Sequence, residues 1–268
     1  MKSADRPELL AQLTNGIAML TTSDEWRRFL DYQSAFHGYS FGNVLLIAAQ
    51  HHDATQVAGF HAWRKVNRFV RKGESAIFIL APMIYKNADV QCADVAAIRG
   101  FKWVPVFDIA QTDGLDPPSV CNRIVGDDSA GRYAQLVVVA QSIGFTVDDV
   151  DIPGSTNGDC SFDLRRIRVA LTNSPAQRVK TLAHEIAHAM LHEGFKDRPL
   201  AELEAESTAY VVCGSLGLDT SGYSFGYVAN WAGGGDAAIA GIKASCERIQ
   251  KTAASILRSF EVDEETTA

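Results

Sequence analysis

Apolar residues recur with a helical period, then a strand period, then a helical one again. Leu9, Leu10, Leu13, Ile17 and Leu20 predict a helix over Pro7 to Leu20; a second is expected from Ser23 to about Ala35, and a third from Phe41 to Gln50. β-rich runs bounded by turn residues follow at Gln56 to Phe60, Ser75 to Ala81 and Phe101 to Phe107. The stretch Gln111 to Ser119 gathers Gly, Pro and short polar residues and is the natural boundary. Beyond it, Arg132 to Ile143 reads as a helix stopped by Gly144, and the runs Cys160 to Phe162 and Ile167 to Leu171 read as a hairpin around Asp163 to Arg166. A further helix opens with Ser174 as cap, Pro175 in its first turn and Gln177 to complete a capping box. Its apolar stripe is Val179, Leu182, Ala183, Ile186, Met190 and Leu191, and Gly194 supplies the stop. Helices from Pro199 to about Leu216 and after Asp236 complete an α+β chain, expected as two domains over residues 1–118 and 119–268.

Composition narrows the class. The chain has 268 residues, 47% of them hydrophobic and 21% charged, which suits folded domains and excludes wholesale disorder. The longest apolar stretch, Ala76 to Tyr85, contains Pro82 and has about half the roughly 20 residues of a membrane span. Asp5 and Glu8 stand where a signal peptide would be basic. The five cysteines are scattered and form no C-x-x-C pair, so a disulfide framework is not expected and a reducing cytoplasm is. A net charge of −7 argues against a generally basic surface, though not against a local patch.

The sharpest chemical signal is His184-Glu185-Ile186-Ala187-His188. Residues four apart on a helix share a face, so both imidazoles can chelate one metal ion, and zinc is the natural choice for them. Glu185 is displaced around the helix, placed to hold a water molecule and accept its proton. A third ligand is needed. His192 lies on the same face, but about 12 Å along the axis from His184, too far for one ion, and reads as a surface residue or a neighbour of the ligands. In the next helix Glu202 and Glu206 share a face, whereas Glu204 points elsewhere. Glu202 is assigned as the third ligand and Glu206 as the group orienting a ligand histidine; spacing leaves the exchange of those two roles open. Tyr210, Tyr223 and Tyr227 are candidates by type alone for stabilising an oxyanion.

A second cluster lies upstream. Between His61 and Glu74 stand Trp63, Arg64, Lys65, Arg68, Phe69, Arg71 and Lys72, aromatic platforms within a basic track, as single-stranded nucleic acid requires. Trp63, Arg64, Arg68, Arg71 and Lys72 are the expected DNA contacts, with Tyr39 and Asn43 beside them. A solvated basic turn over core aromatics would give the same pattern.

These motifs carry two resemblances. His184-Glu185-x-x-His188 followed by Glu202-Leu-Glu-Ala-Glu206-x-x-Ala209 resembles the gluzincin-like metallopeptidase domains of the ImmA/IrrE type, in which a glutamate opening the second helix is a zinc ligand. Glu206 stands where those relatives often have Asn. Tyr39-Ser40-x-x-Asn43, Val57-x-Gly59-Phe60-x-x-Trp63, Arg68-x-Val70-x-x-Gly73-Glu74-x-x-Ile77 and Val106-Phe107-Asp108-x-x-Gln111-Thr112 resemble the N-terminal domain of the ArdC antirestriction proteins. One departure is Asn67, where the family usually has Gly; Asn tolerates the left-handed backbone better than most residues. The resemblance implies an N-terminal single-stranded-DNA-binding domain joined to a zincin-like metallopeptidase domain with one zinc per chain, in a protein of a plasmid or phage. It implies a protein or peptide substrate, and the short apolar stretches lead us to expect no membrane partner. Two alternatives stay open: a DNA-binding protein whose metal site is not catalytic, and an ImmA-like regulatory protease that cleaves a repressor.

Overall fold

Hydrogen-bonded strands and capped helices account for most of the computed structural model, which describes residues 8, 9, 11, 15–18, 20, 22–85, 97–115, 129–154, 156–220 and 236–260. In chain order the elements are α1 (Ser23–Ala35), α2 (Phe41–Gln50), β1 (Val57–Ala58), α3 (Phe60–Lys65), β2 (Arg68–Val70), β3 (Ile77–Tyr85), β4 (Ala97–Asp108) and β5 (Thr112–Gly114). Then come α4 (Ser129–Ser142), β6 (Thr146–Val150), β7 (Gly158–Ser161), β8 (Arg166–Ala170), α5 (Pro175–Leu191), α6 (Arg198–Ser215) and α7 (Asp236–Leu257). Among the described residues no helix is long and apolar enough to cross a membrane. Two compact units emerge, Met1–Thr14 with Gly42–Ser119, and Asn15–Phe41 with Val120–Ala268.

The first unit is an antiparallel sheet in the order β1-β4-β3 beside a two-stranded ribbon, β2-β5. Strand β3 lies at the sheet edge, and α2 covers part of that edge with side-chain amides. Asn43 donates to the Leu80 carbonyl at 2.9 Å and accepts from its N–H at 2.8 Å. One helical face onward, Gln50 does the same for Phe78, at 2.9 Å in both directions. Backbone groups left unpaired by the sheet are thereby satisfied.

The expected strand at Gln56 to Phe60 is cut to Val57–Ala58, because Gly59 caps α3 and turns the chain. That turn buries Trp63, 3% exposed, whose Nε1 donates to the Phe107 carbonyl at 2.8 Å. The ribbon is equally built. Arg68 is 6% exposed and donates to Thr112 Oγ1, Gly114 O and Leu115 O. Asn67 takes φ 57°, the left-handed geometry anticipated for it. A Cβ on Gly114 would sit 2.4 Å from the Asn67 carbonyl oxygen, so only glycine admits this approach. The carboxylate of Asp108 accepts from the Thr55, Gln56 and Ala110 N–H groups, and Gln111 closes the capping box. Much of the recurring motif in this half of the chain is therefore architecture.

The second unit packs α5 against α4, α6, α7 and the sheet β6-β8-β7. Val179, Leu182, Ile186, Ile167, Val169, Ile242 and Ile249 are fully buried in it. Strand β6 was not anticipated. None of its residues is fully buried, so Thr146-Val-Asp-Asp-Val150 lacks the apolar alternation that marks a strand, and pairing with β8 in parallel defines it. Ser174 caps α5 by accepting from the Gln177 N–H at 3.3 Å, but the Gln177 side chain donates to Thr181 Oγ1 rather than closing the box.

Helix α1 belongs to this unit, which divides the expected 1–118 domain. Trp26, fully buried, donates to Ser207 Oγ at 2.9 Å, the Tyr210 hydroxyl donates to Asp31 and Ser215 Oγ to the Ser34 carbonyl, all tying α1 to α6. The helix expected over Pro7 to Leu20 and the tail after Phe260 lie partly or wholly outside the described residues.

The burial of Trp63 has a measurable consequence. Trp63→Ala should cost about 3–5 kcal/mol of folding stability, whereas Arg64→Ala on the exposed side of the same helix should stay within about 0.5 kcal/mol. Chemical denaturation of the two variants checks the pair.

Candidate metal centre

Helices α5 and α6 bring His184, His188 and Glu202 together: one ligand atom from each lies within 4.8 Å of the other two. The two Nε2 atoms are 3.0 Å apart, and the Glu202 oxygens stand 3.4 Å from His184 Nε2 and 3.6 Å from His188 Nε2. Two imidazoles and a carboxylate converging from two helices suit a divalent transition metal and leave a fourth position free.

The far nitrogens of both imidazoles are also engaged. His184 Nδ1 lies 3.1 Å from Glu206 Oε2, whose other oxygen is 3.1 Å from Lys180 Nζ. Because a carboxylate only accepts, Nδ1 of His184 donates to Glu206, so once Nε2 gives up the proton it shares with Glu202 its lone pair faces the cleft, as a metal needs. His188 Nδ1 lies 2.9 Å from His192 Nδ1. His192 is buried, 5% exposed, and its Nε2 lies 3.3 Å from Glu204 Oε2.

Sequence spacing had set Glu204 aside as pointing elsewhere. It does point away from the cleft, but into the core, fully buried, where Ser245 Oγ donates at 2.6 Å and the Arg248 guanidinium pairs with both oxygens. Neither Ser245 nor Arg248 could be paired with Glu204 from the sequence, since their relation to α6 is set by tertiary packing. A polar Ser and Arg beside the apolar stripe Ile242, Cys246 and Ile249 was the one available hint.

Glu185 is 7% exposed and lines a cleft of about 440 Å³ together with His184, His188, Glu202, Cys160 and Arg198. A second hollow of about 250 Å³, lined by Asn157, Lys180 and Thr181, meets the first at Gly158, His184 and Glu185. Strand β7 is the edge of its sheet and borders both hollows, so the groove could hold an extended chain. A Cβ on Gly158 would meet Thr181 Cγ2 at 2.5 Å and the Arg168 carbonyl at 2.8 Å. Glycine here lets the strand lie close against α5.

Burial opposes the charge on His184, but the Glu202 and Glu206 carboxylates outweigh it and raise its pKa to about 9. Burial raises Glu185 to about 7, offset in part by His184. A carboxylate poised near neutrality suits a general base. The hydrogen bonds from His184 and His188 hold Glu202 far below the usual carboxylate range. Burial opposes the same effect on Glu206, but His184 and Lys180 prevail and lower it.

The expected DNA contacts fare differently from the metal ligands. Trp63, Arg68 and Asn43 are buried and spend their polar atoms on backbone or neighbouring side chains, which leaves no free face for a base or phosphate. Arg71 is exposed at 42% of its side chain but pairs with Glu74 and Asp113. Arg64 and Lys72 are exposed, and Arg64 lies over the Phe60 ring at 6.0 Å. Tyr39, half-buried against Phe36, belongs to the second unit. Phe60 and Phe69, named in the motifs and the basic track but not among the expected DNA contacts, are 44% and 54% exposed and are accessible aromatics of this region. Tyr210 is 3% exposed with its hydroxyl on Asp31, so it is a core residue and not an oxyanion donor; Tyr223 and Tyr227 lie outside the described residues.

Residues 7–99 match the N-terminal domain of anti-restriction factor ArdC. The ArdC match thus runs from before α1 into β4 and ends upstream of the metal centre. The chain is also 24% identical to an uncharacterized protein of Bacillus anthracis, over 93% of this chain and 50% of that protein; it spans about half the relative's length. Among solved structures it is similar to the antirestriction ArdC protein from R388 plasmid. The metal-free crystal structure gives 22% identity and a TM-score of 0.48, covering 82% of this chain and 84% of that one. The Mn(II)-bound structure gives 20% identity and a TM-score of 0.47, covering 82% and 87%.

The shifted groups set the pH response. The raised His184 contributes stability below its ordinary 6.5 that is lost as pH climbs through about 9. Glu185, favoured in its neutral form, costs stability as it ionises between 4.5 and about 7. With chelator present, the melting temperature should therefore fall as pH rises from 5 to about 9.5. His184→Asn should flatten the alkaline part and Glu185→Gln the acidic part in the same melts.

Proposed function

We propose that this chain is an antirestriction-type protein that binds single-stranded DNA through its first unit and carries a zinc metallopeptidase centre in its second. The observation that carries the enzymatic half is the convergence of His184, His188 and Glu202 beside buried Glu185 in a groove bordered by an edge strand. It supports the ligand set read from the spacing and the gluzincin reading that the resemblance implies. Zinc bound by those three residues would supply Lewis-acid polarisation of a carbonyl and lower the pKa of water. The chain's own residues do the rest. Glu206, and His192 behind His188, hold the imidazoles in the tautomer that faces the groove. Glu185 takes a proton from the attacking water and returns one to the leaving amine. The edge of β7, which pairs with no further strand among the described residues, aligns an extended peptide through backbone hydrogen bonds.

The match of residues 7–99 supports the antirestriction half, and with it a DNA partner. Exposed Phe60 and Phe69, with Arg64, Lys65 and Lys72, offer the stacking surfaces and cations that single strands need. Association through phosphates should weaken steeply with salt.

Two experiments test the halves separately. Glu185→Gln should keep zinc and DNA binding while abolishing peptide hydrolysis, read on a peptide library with the zinc-loaded protein. Unchanged antirestriction activity in that variant would favour a binding protein with a non-catalytic centre. In a titration with single-stranded oligonucleotide, Phe69→Ala should cost about 1–3 kcal/mol, and Lys72→Ala should lower the salt dependence. Full affinity in both variants would remove this face from the DNA reading.

A further inference from the structure

Behind the metal-facing side of His188, a line of buried polar groups runs from α5 through α6 to α7. It links His188 Nδ1 to His192 Nδ1 at 2.9 Å, His192 Nε2 to Glu204 Oε2 at 3.3 Å, and Glu204 to Ser245 Oγ at 2.6 Å and to the Arg248 guanidinium. His192 is 5% exposed and Glu204 is fully buried. A carboxylate and two imidazoles taken out of water are costly unless each serves a partner, and here each does.

The donor pattern gives this line a direction. Glu204 can only accept, so His192 donates through Nε2. The Nδ1 lone pair of His192 then accepts from His188 Nδ1–H, so the nitrogen of His188 left to bind a metal is Nε2, which faces His184 and Glu202. Arg248 balances the charge of Glu204, so His192 need only hydrogen-bond to it.

We infer that His192 and Glu204 are positioning residues of the metal centre, which fix His188 in its ligating tautomer and couple it to α7 through Ser245 and Arg248. The inference rests on the zinc reading above. His184 has the simpler arrangement, a single carboxylate from Glu206. The two ligands of one motif are thus oriented by two different devices, and i+8 from His184 is the position that reaches the second.

The test is zinc affinity, measured by competition with a chromophoric chelator on folded protein, together with the visible spectrum of the cobalt-substituted form. His192→Phe keeps bulk and removes both hydrogen bonds, and it should weaken zinc binding about 10–100-fold. His192→Gln retains an acceptor for His188 and should recover part of that loss. Glu204→Gln, which keeps the acceptor but not the charge, should fall between wild type and His192→Phe. The cobalt bands should shift in all three. Unchanged affinity and spectrum in the folded variants would overturn the inference and leave His192 as core filling, while wild-type zinc binding upheld the centre. Absence of zinc binding in the wild type would overturn both. Should His192→Phe fail to fold, the two glutamine variants decide the matter.

Discussion

The apposition of α5 and α6 is the constraint on which the rest depends. Each helix carries small residues next to its functional ones, Ala183 and Ala187 on the first, Ala205 and Ala209 on the second, all fully buried. Small side chains at a helix contact permit close axes. The packing of α6 on α5 brings the Glu202 and Glu206 carboxylates within 4 Å of imidazoles on α5. Helix α6 then distributes three glutamates at alternate positions to three partners: Glu202 to the cleft, Glu206 to His184 and Glu204 to the core. The electrostatics follow from geometry. The cleft side holds a carboxylate cluster that charges His184, and the same low-dielectric pocket keeps Glu185 near neutrality.

What the sequence made legible was whatever rests on local periodicity. The spacing of His184 and His188 put both imidazoles on one face, and the i, i+4 relation of Glu202 and Glu206 put both carboxylates toward them. The cap at Ser174 marked where α5 begins, and Asn67 took the left-handed turn its side chain allows. Spacing along a straight helix also set His192 too far from His184 to share one ion with it. It could not reveal that the imidazole reaches the far nitrogen of His188.

Long-range partners were not legible. Glu204 was discounted because it faces away from the cleft, yet its burial against Ser245 and Arg248 depends on α7 lying behind α6, which no periodicity encodes. The same limit governs the first unit. Trp63 and Arg68 had the composition of a nucleic-acid surface, but an aromatic and a cation are equally the means of closing a small sheet and ribbon. Here the indole and guanidinium are spent on Phe107, Thr112, Gly114 and Leu115. Burial, which sequence does not give, leaves Arg64 and Lys72 of the expected contacts exposed and adds Phe60 and Phe69 to the candidate surface. Helix α1 was assigned by its neighbours in sequence, while its contacts through Trp26, Ser34 and Tyr210 lie in the other unit.

X-ray absorption at the metal edge, on protein purified without added chelator, addresses the central claim most directly. One zinc per chain should be seen with two imidazole shells at about 2.0–2.1 Å and a carboxylate oxygen, and one imidazole shell should disappear in His188→Ala. A metal bound without imidazole scattering, or the same spectrum in His188→Ala, would contradict the account.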